Sequence, residues 1–175
     1  MVNREMETGL DEIIRELETK SIAEREKFFT EKESEILSDN FKEIIKSTEP
    51  NKVVNFLLVI PDNYFEKVIE NHQDVIHEKL LNADATSIAR IFDSLPKDLR
   101  KAFNRYFRDT ILQFVKKLSI PEIIKMIYNI SPPNRSGLLS PLRPLLFNPN
   151  FRDVILKTSL EDIEAFLSVL PDDVR

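Results

Sequence analysis

The chain has 175 residues, of which 42% are apolar, 31% are charged and only two are glycine, a balance that favours packed helices over a disordered chain or a turn-rich sheet protein. It contains no cysteine and no stretch near the roughly 18 uncharged residues of a membrane span, so we predict no disulfide framework, no thiolate site and no membrane segment. Residues 1–50 hold 14 acidic and 8 basic side chains, whereas residues 51–175 hold 16 and 17, which argues against nucleic acid as the main ligand. We predict a cytoplasmic protein.

The strongest feature along the chain is an apolar pattern that recurs five times. Each copy places apolar residues at positions i, i+3, i+4 and i+7, which form one stripe along a helix. A short helix cannot bury such a stripe by itself, so the pattern predicts helices that pack on one another. The stripes are Leu10/Ile13/Ile14/Leu17, Val53/Phe56/Leu57/Ile60, Ile88/Ile91/Phe92/Leu95, Ile123/Met126/Ile127/Ile130 and Ile163/Phe166/Leu167/Leu170.

Start and stop signals flank these stripes. Ser119 lies three residues before Glu122, so its hydroxyl is placed to cap a helix while the carboxylate reaches back. Ser159 and Asp84 lie at the same place in their repeats. Proline ends a helix and can open the next one at its first position, so each repeat reads as helix, tight proline turn, helix. The prolines that directly follow a stripe are Pro61, Pro96 and Pro171.

The second half of each repeat also recurs. Residues 107–112 read Phe-Arg-Asp-Thr-Ile-Leu, and residues 151–156 read Phe-Arg-Asp-Val-Ile-Leu. Residues 40–45 are a third version, and residues 73–76 are a fainter fourth. These patterns predict an all-α superhelix, or solenoid, of about five helix-pair repeats in a single domain over residues 1–175. The predicted repeats cover residues 8–47, 48–82, 83–118, 119–158 and an incomplete 159–175.

Two segments depart from the repeat. Residues 18–39 are rich in Glu and Lys and predict one or two solvated helices with a narrow apolar seam. The segment from Pro132 to Pro149 holds half of the chain's ten prolines, and we predict an ordered loop with a short capped turn there because prolines interrupt helices. Insertions into a solenoid usually emerge on one face, so this loop is a candidate docking feature. Its candidate partner-binding residues, which match the PxxP spacing of polyproline ligands, are Pro141, Leu142, Arg143 and Pro144.

A basic segment lies in the second half of the third repeat. Its aromatic residues Phe103, Tyr106 and Phe107 are predicted to be core, and its basic residues to form either an ordinary exposed face or a patch for an acidic partner. The charge does not recur in the preceding repeat, as the base-reading positions of an RNA-binding repeat would. The candidate partner-binding residues in this segment are Arg100, Arg105 and Arg108.

Signs of catalysis or metal binding are weak. His72 and His77 are the only histidines, and a five-residue step turns two imidazoles away from each other on a helix. We predict surface histidines beside a turn between helices. Paired carboxylates are frequent, but no nucleophile or glycine-rich phosphate loop accompanies them. We therefore predict no enzyme activity, no cofactor and no metal site.

One phrase of the sequence resembles a known repeat. Residues 85–100, with Leu95-Pro96 at the end of the first helix, are similar to the superhelical N-terminal domain of MgtE-type magnesium transporters and to the armadillo-like repeats of FliG flagellar motor switch proteins. Residues 160–175 echo this phrase. The resemblance implies a right-handed α-superhelix used for regulatory docking, and in the transporter family acidic residues of this domain help to sense Mg²⁺. This chain lacks the following sensor-like domain and the membrane segment, so the fold is carried over without metal ligands.

Three functions are compatible with these patterns. The first is a scaffold or interaction module for a protein partner. The second is a cytosolic regulatory domain that responds to divalent cations, and the third is a nucleic-acid-binding repeat. The last repeat stops where the earlier ones begin their second helix, so we expect a fragment of a longer protein, with self-association through the open C-terminal repeat as the alternative.

Overall fold

The computed structural model describes residues 9–146 and 148–172, and every regular element in these residues is a helix, which confirms the all-α prediction. No helix in this part of the chain is long and apolar enough to cross a membrane. A 3₁₀ turn over Pro132–Asn134 precedes α11. The α-helices are α1 (Leu10–Glu18), α2 (Ile22–Glu31), α3 (Glu33–Ile36), α4 (Asp39–Ser47), α5 (Pro50–Val59), α6 (Asp62–Asn71), α7 (Gln73–Asn82), α8 (Ala85–Ser94), α9 (Lys97–Lys116), α10 (Ile120–Tyr128), α11 (Arg135–Leu146), α12 (Pro149–Leu156) and α13 (Leu160–Val169).

The predicted stripes lie on α1, α5, α8, α10 and α13, and they form much of the core. Eighteen of the twenty stripe side chains are buried. Burial of one large aliphatic side chain stabilises the fold by about 1.5–3 kcal/mol, so each of these buried side chains contributes to the stability of the repeat. Both exceptions lie on α13, where Ile163 is half-buried and Leu167 is 50% exposed. Leu167 is therefore the stripe residue that departs furthest from the buried pattern.

Most helix ends follow the predicted signals. The Ser119 hydroxyl accepts a hydrogen bond from the Glu122 N–H at 3.4 Å, and the Glu122 carboxylate accepts one from the Ser119 N–H at 2.7 Å, which confirms the capping box of α10. Asp84 caps α8 with a single hydrogen bond, in which its Oδ1 accepts from the Ser87 N–H at 2.7 Å. The prolines lie one position earlier than predicted, because Pro61 and Pro96 are the N-cap residues of α6 and α9 rather than their first helical residues.

The second halves of the repeats differ in how many helices they contain. In the third repeat the second half is the single 20-residue helix α9. In the second repeat a break at His72 divides it into α6 and α7. The predicted helices within residues 18–39 are confirmed as α2 and α3, and Phe29 and Ile36 supply their buried seam.

The proline-rich segment is helical over Pro132–Asn134 and Arg135–Leu146, so the prediction of a loop there is wrong. Helix α11 contains both Pro141 and Pro144. Proline lacks the N–H to which the carbonyl four residues earlier would bond, and Pro141 therefore leaves the Gly137 carbonyl without its helical donor. The Asn104 side chain of α9 supplies that donor, with Nδ2 lying 3.1 Å from the Gly137 oxygen. A neighbouring helix thus stabilises a helix that the local sequence opposes.

His72 is buried, which contradicts the prediction of a surface histidine. It lies at the junction of α6 and α7, and none of its surface is exposed. Its Nε2 is 2.6 Å from the carbonyl oxygen of Ile36, which can only accept, so Nε2 carries the proton. The Phe41 ring packs beside it at a centroid distance of 5.7 Å. Burial lowers the pKa of His72 below its ordinary value of 6.5, against the opposing effect of the Ile36 hydrogen bond.

The helices group into two compact halves, which divide between Ala83 and Asp84, one residue from the predicted boundary of the second and third repeats. In the N-terminal half, α5 packs against both α1 and α7. Aromatic rings fill its core: Phe56 lies 5.5 Å from Phe41 and 6.5 Å from Phe29 between ring centroids.

The C-terminal half has its own core. Helix α10 packs between α8 and α13, and α11 packs against α8 and α9. The rings of Phe92, Phe103 and Phe107 form a chain with centroid distances of 5.8 and 5.1 Å. Phe103 and Phe107 are fully buried, which confirms that these two aromatic residues of the basic segment belong to the core, whereas Tyr106 is only half-buried.

Candidate functional site

A cleft of about 610 Å³ lies between α9 and α11 in the C-terminal half. Its volume is in the range of small-ligand sites in proteins, which is about 300–1,000 Å³. The first two turns of α9 form one wall, and the 3₁₀ turn with the first half of α11 forms the other. The lining residues are Lys97, Arg100, Lys101, Asn104, Pro133, Ser136, Gly137, Ser140 and Pro141.

The α9 wall is basic because of its helical spacing. Lys97, Arg100, Lys101 and Asn104 lie three or four residues apart along the helix, so they share one face of α9. Arg100 is held in place, since its Nη1 donates to the Phe92 carbonyl oxygen at 2.9 Å. Lys97 and Lys101 are exposed. A line of positive charge therefore runs along the cleft with its arginine already oriented.

The α11 wall is made of small residues. Ser136 and Ser140 are four residues apart and share a face of α11 with Gly137 and Pro141. A Cβ on Gly137 would contact the Arg100 side chain at 3.6 Å, an ordinary packing distance, so this arginine lies directly over the glycine. Small side chains on this wall leave the space that the cleft occupies. The two serines add hydroxyl donors to the cationic wall opposite.

Asn104 connects the two walls. Its Nδ2 donates to the Gly137 oxygen across the base of the cleft, as described above. Its Oδ1 is inaccessible to solvent and accepts no hydrogen bond within the part of the chain that the structure describes. The Asn104 amide therefore links α9 to α11 through its Nδ2 alone.

Charge around the cleft is strongly positive. Residues 123–152 contain no aspartate or glutamate and four basic residues. The nearby Asp93 is engaged elsewhere, because its Oδ1 accepts from the Ser131 N–H at 2.9 Å and from Asn134 Nδ2 at 3.2 Å. These hydrogen bonds, foremost the one from the Ser131 backbone, lower the pKa of Asp93, and the positive charge of Arg100 adds to the effect. Asp98, paired with Lys101 at 3.4 Å, is the other acid beside the cationic wall.

The structure brings together some of the predicted partner-binding residues and separates others. Arg100 and Pro141, predicted from two distant segments, line the same cleft. Arg105 and Arg108 are exposed on α9 beyond the residues that line it. Arg143 and Pro144 are exposed on α11. Leu142 is only 1% exposed, so its prediction as a docking residue is wrong, because α11 turns it into the core with Leu138 and Leu139.

A second surface of interest is the apolar face of α13. Leu160, Ile163 and Leu167 lie three and four residues apart and form one stripe. Leu160 is 72% exposed and Leu167 is 50% exposed. The adjacent face of α13, with Phe166 and Val169, is buried where the helix packs on α10. The apolar sector of α13 is thus wider than the surface that covers it.

Other exposed apolar residues lie close by in sequence. Among the described residues, five of the six large apolar side chains with exposed surfaces fall within residues 128–167. A smaller pocket of about 240 Å³, lined in part by Ile123, Phe151 and Val154, lies among α9, α10 and α12. Large contiguous apolar patches are common at interaction surfaces of proteins.

The described residues hold no metal-binding arrangement of side chains. No group of three or more His, Asp or Glu residues there is placed to hold a metal ion. His72 is buried and bonded to a carbonyl oxygen, and His77 is half-buried on the following turns of α7. The two histidines are therefore not brought together.

Sequence patterns did not point to several residues of the cleft. Ser136, Gly137 and Ser140 were part of a segment predicted as a loop, and Asn104 carried no motif. Asn104 and Gly137 are 33 positions apart, so no local pattern links them. The available signals were the basic segment of α9, in which Arg100 was predicted to bind a partner, and the absence of acidic residues from 123 to 152.

Comparison with protein-family models, with curated proteins and with solved structures gave no match for this chain. The resemblance to the MgtE-type N-terminal domain and to FliG repeats therefore stays a prediction.

Proposed function

We propose that this chain is a protein-interaction module in which helical repeats form a right-handed superhelix, and that the exposed stripe of α13 binds an amphipathic helix of a protein partner. The stripe consists of Leu160, Ile163 and Leu167. Its partner helix carries apolar residues at the same spacing, flanked by lysine or arginine.

The observation that carries this proposal is the contrast between α13 and the other first helices. Leu167 is equivalent to Leu57, Phe92 and Ile127 in the repeat, and each of these three is fully buried. In α13 the same position is 50% exposed. The pattern that builds the interior of the other repeats is thus present on a surface, where a helix from another chain can cover it.

Charge on α13 indicates what kind of helix fits there. The helix contains Glu161, Asp162 and Glu164 and no basic residue. Glu161 and Glu164 are exposed beside the apolar stripe. Opposite charge across an interface favours association and fixes the register, whereas like charge opposes it. A basic amphipathic helix therefore fits this surface better than an acidic one.

The first prediction tests this surface with two helical peptides that have leucines at i, i+3 and i+7 and either lysine or glutamate at the flanking positions. We expect the lysine peptide to shift the amide resonances of residues 160–167 saturably and the glutamate peptide to leave them unchanged. Replacing both leucines, in a Leu160→Ser/Leu167→Ser variant, should weaken binding by at least ~10-fold, which corresponds to about 1.4 kcal/mol.

The matched control is Ile22→Ser, which removes an equally exposed apolar side chain, 75% accessible, from the N-terminal half. It should leave binding unchanged. Equal binding of both peptides, or resonance shifts away from α13, would contradict the proposal. Sedimentation of the chain alone provides a further check, since dimerisation that Leu160→Ser/Leu167→Ser abolishes would make a second copy the occupant and overturn a partner helix.

A further inference from the structure

The α9–α11 cleft has features that protein–protein contact through α13 does not use. It is polar and cationic, it lies on other helices, and its arginine is fixed before any ligand arrives. These properties point to a small anionic group rather than to an apolar helix.

We propose that this cleft binds a phosphate monoester. The groups that contact it are the cations of Lys97, Arg100 and Lys101 on α9 and the hydroxyls of Ser136 and Ser140 on α11. Together they offer charge from one wall and neutral hydrogen-bond donors from the other, around an anion with three terminal oxygens.

The cleft has the net positive charge that a phosphate monoester requires. Its lining residues include three cations and no acid. Two acids lie beside it, Asp98, which pairs with Lys101 at 3.4 Å, and Asp93, which accepts hydrogen bonds from Ser131 and Asn134, so the local charge is about +1. A phosphate monoester carries about −1.5 to −2 near neutral pH, whereas a single carboxylate carries −1. The net charge of the C-terminal half is also positive, since residues 84–175 hold 14 basic and 11 acidic residues. Residues 1–83 hold 11 basic and 19 acidic residues, so the N-terminal half is acidic.

The donors of the cleft are available to a ligand. Lys97 forms no salt bridge within residues 9–146 and 148–172, and the hydroxyls of Ser136 and Ser140 make no hydrogen bond there. Arg100 uses Nη1 to bond to Phe92, and this anchor leaves its Nε and Nη2 for the cleft. An arginine that is already oriented loses less side-chain entropy when it binds an oxyanion than a mobile one does.

The test titrates the full chain with four probes and follows binding by calorimetry and by amide resonances of residues 97–104 and 136–140. The probes are a glycine-flanked phosphoserine peptide, the same peptide with glutamate, the same peptide with unmodified serine, and glycerol 2-phosphate. We expect the phosphoserine peptide to bind at least ~10-fold more tightly than the glutamate peptide and the serine peptide to show no binding. If glycerol 2-phosphate binds as tightly as the phosphopeptide, the natural ligand of the site is a free phosphate monoester. If it binds more weakly, the natural ligand is a phosphorylated peptide. Both results support the proposal.

Charge variants assign the binding to the cleft. Lys97→Gln/Lys101→Gln should weaken phosphopeptide binding by at least ~10-fold, and the matched pair Lys116→Gln/Lys117→Gln, at the exposed end of the same helix, should not. Both pairs are exposed, so thermal melts should match the unmodified chain. Equal binding of the glutamate peptide, equal loss in both variants, or no resonance shift in the cleft would overturn the proposal. So would tighter binding of a uridine oligonucleotide, whose phosphodiesters would identify a nucleic-acid site. Binding of the helical peptides to α13 is measured separately, so either proposal can fail alone.

Discussion

At the residue scale, His72 takes the place of a phenylalanine. The recurring motif of the second half-repeats contains a phenylalanine, which is Phe41, Phe107 or Phe151 in three of the copies. Each of these side chains is buried. The fainter copy at residues 73–76 places His72 at this position, and it too is fully buried. Alignment of the repeats could therefore have predicted that His72 is buried. We predicted a surface residue because histidine is polar.

A second proton on the His72 ring would have no hydrogen-bond acceptor. Nε2 already donates to the Ile36 oxygen, and Nδ1 is inaccessible and has no hydrogen-bond partner among the described residues. A second proton would place a charge in the core beside the Phe41 ring. Lys42 opposes this charge, and Asp74 and Asp39 favour it less strongly than burial disfavours it.

The second prediction concerns stability against pH. Because burial holds the pKa of His72 below 6.5 in the folded chain, the unfolded chain binds this proton more readily. The neutral imidazole thus contributes its full stability above pH 6.5, and this contribution is lost as the pH falls below that value. We expect the free energy of unfolding, measured with urea, to fall between pH 7.5 and 5.5, and to fall less in His72→Phe.

A second variant separates titration from the lost hydrogen bond. His72→Gln keeps a donor for the Ile36 oxygen and does not titrate, so its stability should also depend less on pH in this window. At pH 7.5 we expect His72→Phe to lie within about 1 kcal/mol of the unmodified chain, since a lost hydrogen bond opposes a gain in apolar burial. An unchanged pH dependence in both variants would show that His72 does not titrate in this range.

At the element scale, α11 shows how a contact between helices overrides local preference. A proline inside a helix costs about 3 kcal/mol, mainly through the lost hydrogen bond and the clash with the preceding turn. In α11, the Asn104 side chain replaces the missing donor of Pro141. The residue four positions before Pro144 is Ser140, which is exposed, so water can bond to its carbonyl.

The third prediction is that Asn104 and Pro141 are energetically coupled. Asn104→Ala should destabilise the chain by about 1–3 kcal/mol, because the Gly137 carbonyl loses its donor. In a Pro141→Ala background the same change should cost at least about 1 kcal/mol less, because position 141 then has a backbone N–H that can bond to the Gly137 carbonyl along the helix. Urea unfolding of the four proteins measures this coupling.

Pro144→Ala provides the control for that cycle. Its new N–H faces the carbonyl of Ser140 rather than that of Gly137, so the cost of Asn104→Ala should be the same as in the unmodified chain. An equal cost of Asn104→Ala in the Pro141→Ala and Pro144→Ala backgrounds would contradict the assignment of the hydrogen bond.

Local signals in the sequence predicted most helices, whereas features that depend on contacts between helices could not be predicted. The stripes and the cap at Ser119 follow from residues within one or two turns, and the structure has them where they were predicted. The helix through Pro141 depends on Asn104, which belongs to a different helix. The cationic wall of the cleft lies within one helix, α9, and could be predicted from the sequence. The serines that face it belong to α11, and their place in the cleft depends on how α11 packs against α9. The sequence led us to expect an open stripe in the last repeat, but the repeat pattern could not show which of its residues is exposed.

At the scale of the whole molecule, each compact half contains the parts of an independent core. The N-terminal half buries Phe29, Phe41, Phe56 and Phe65, and the C-terminal half buries Phe92, Phe103 and Phe107. Both halves exceed the roughly 40–60 residues below which a chain rarely folds without disulfides or metals. The sequence pattern, which runs through all repeats alike, predicts one domain, and the contacts group the described helices into two compact halves that divide at Ala83.

The fourth prediction is that residues 1–83 and residues 84–175 fold when expressed separately. The cut between Ala83 and Asp84 interrupts no helix, and Asp84 keeps its role as the cap of α8. We expect each half to show helical circular dichroism, a cooperative melt and dispersed amide resonances. A matched cut between Tyr106 and Phe107 divides α9 and separates Phe103 from Phe107, whose ring centroids lie 5.1 Å apart, so its C-terminal product should not melt cooperatively. If both halves from the Ala83 cut are unfolded alone and fold only when mixed, the chain is a single cooperative domain, because the stability of each half then depends on contacts with the other.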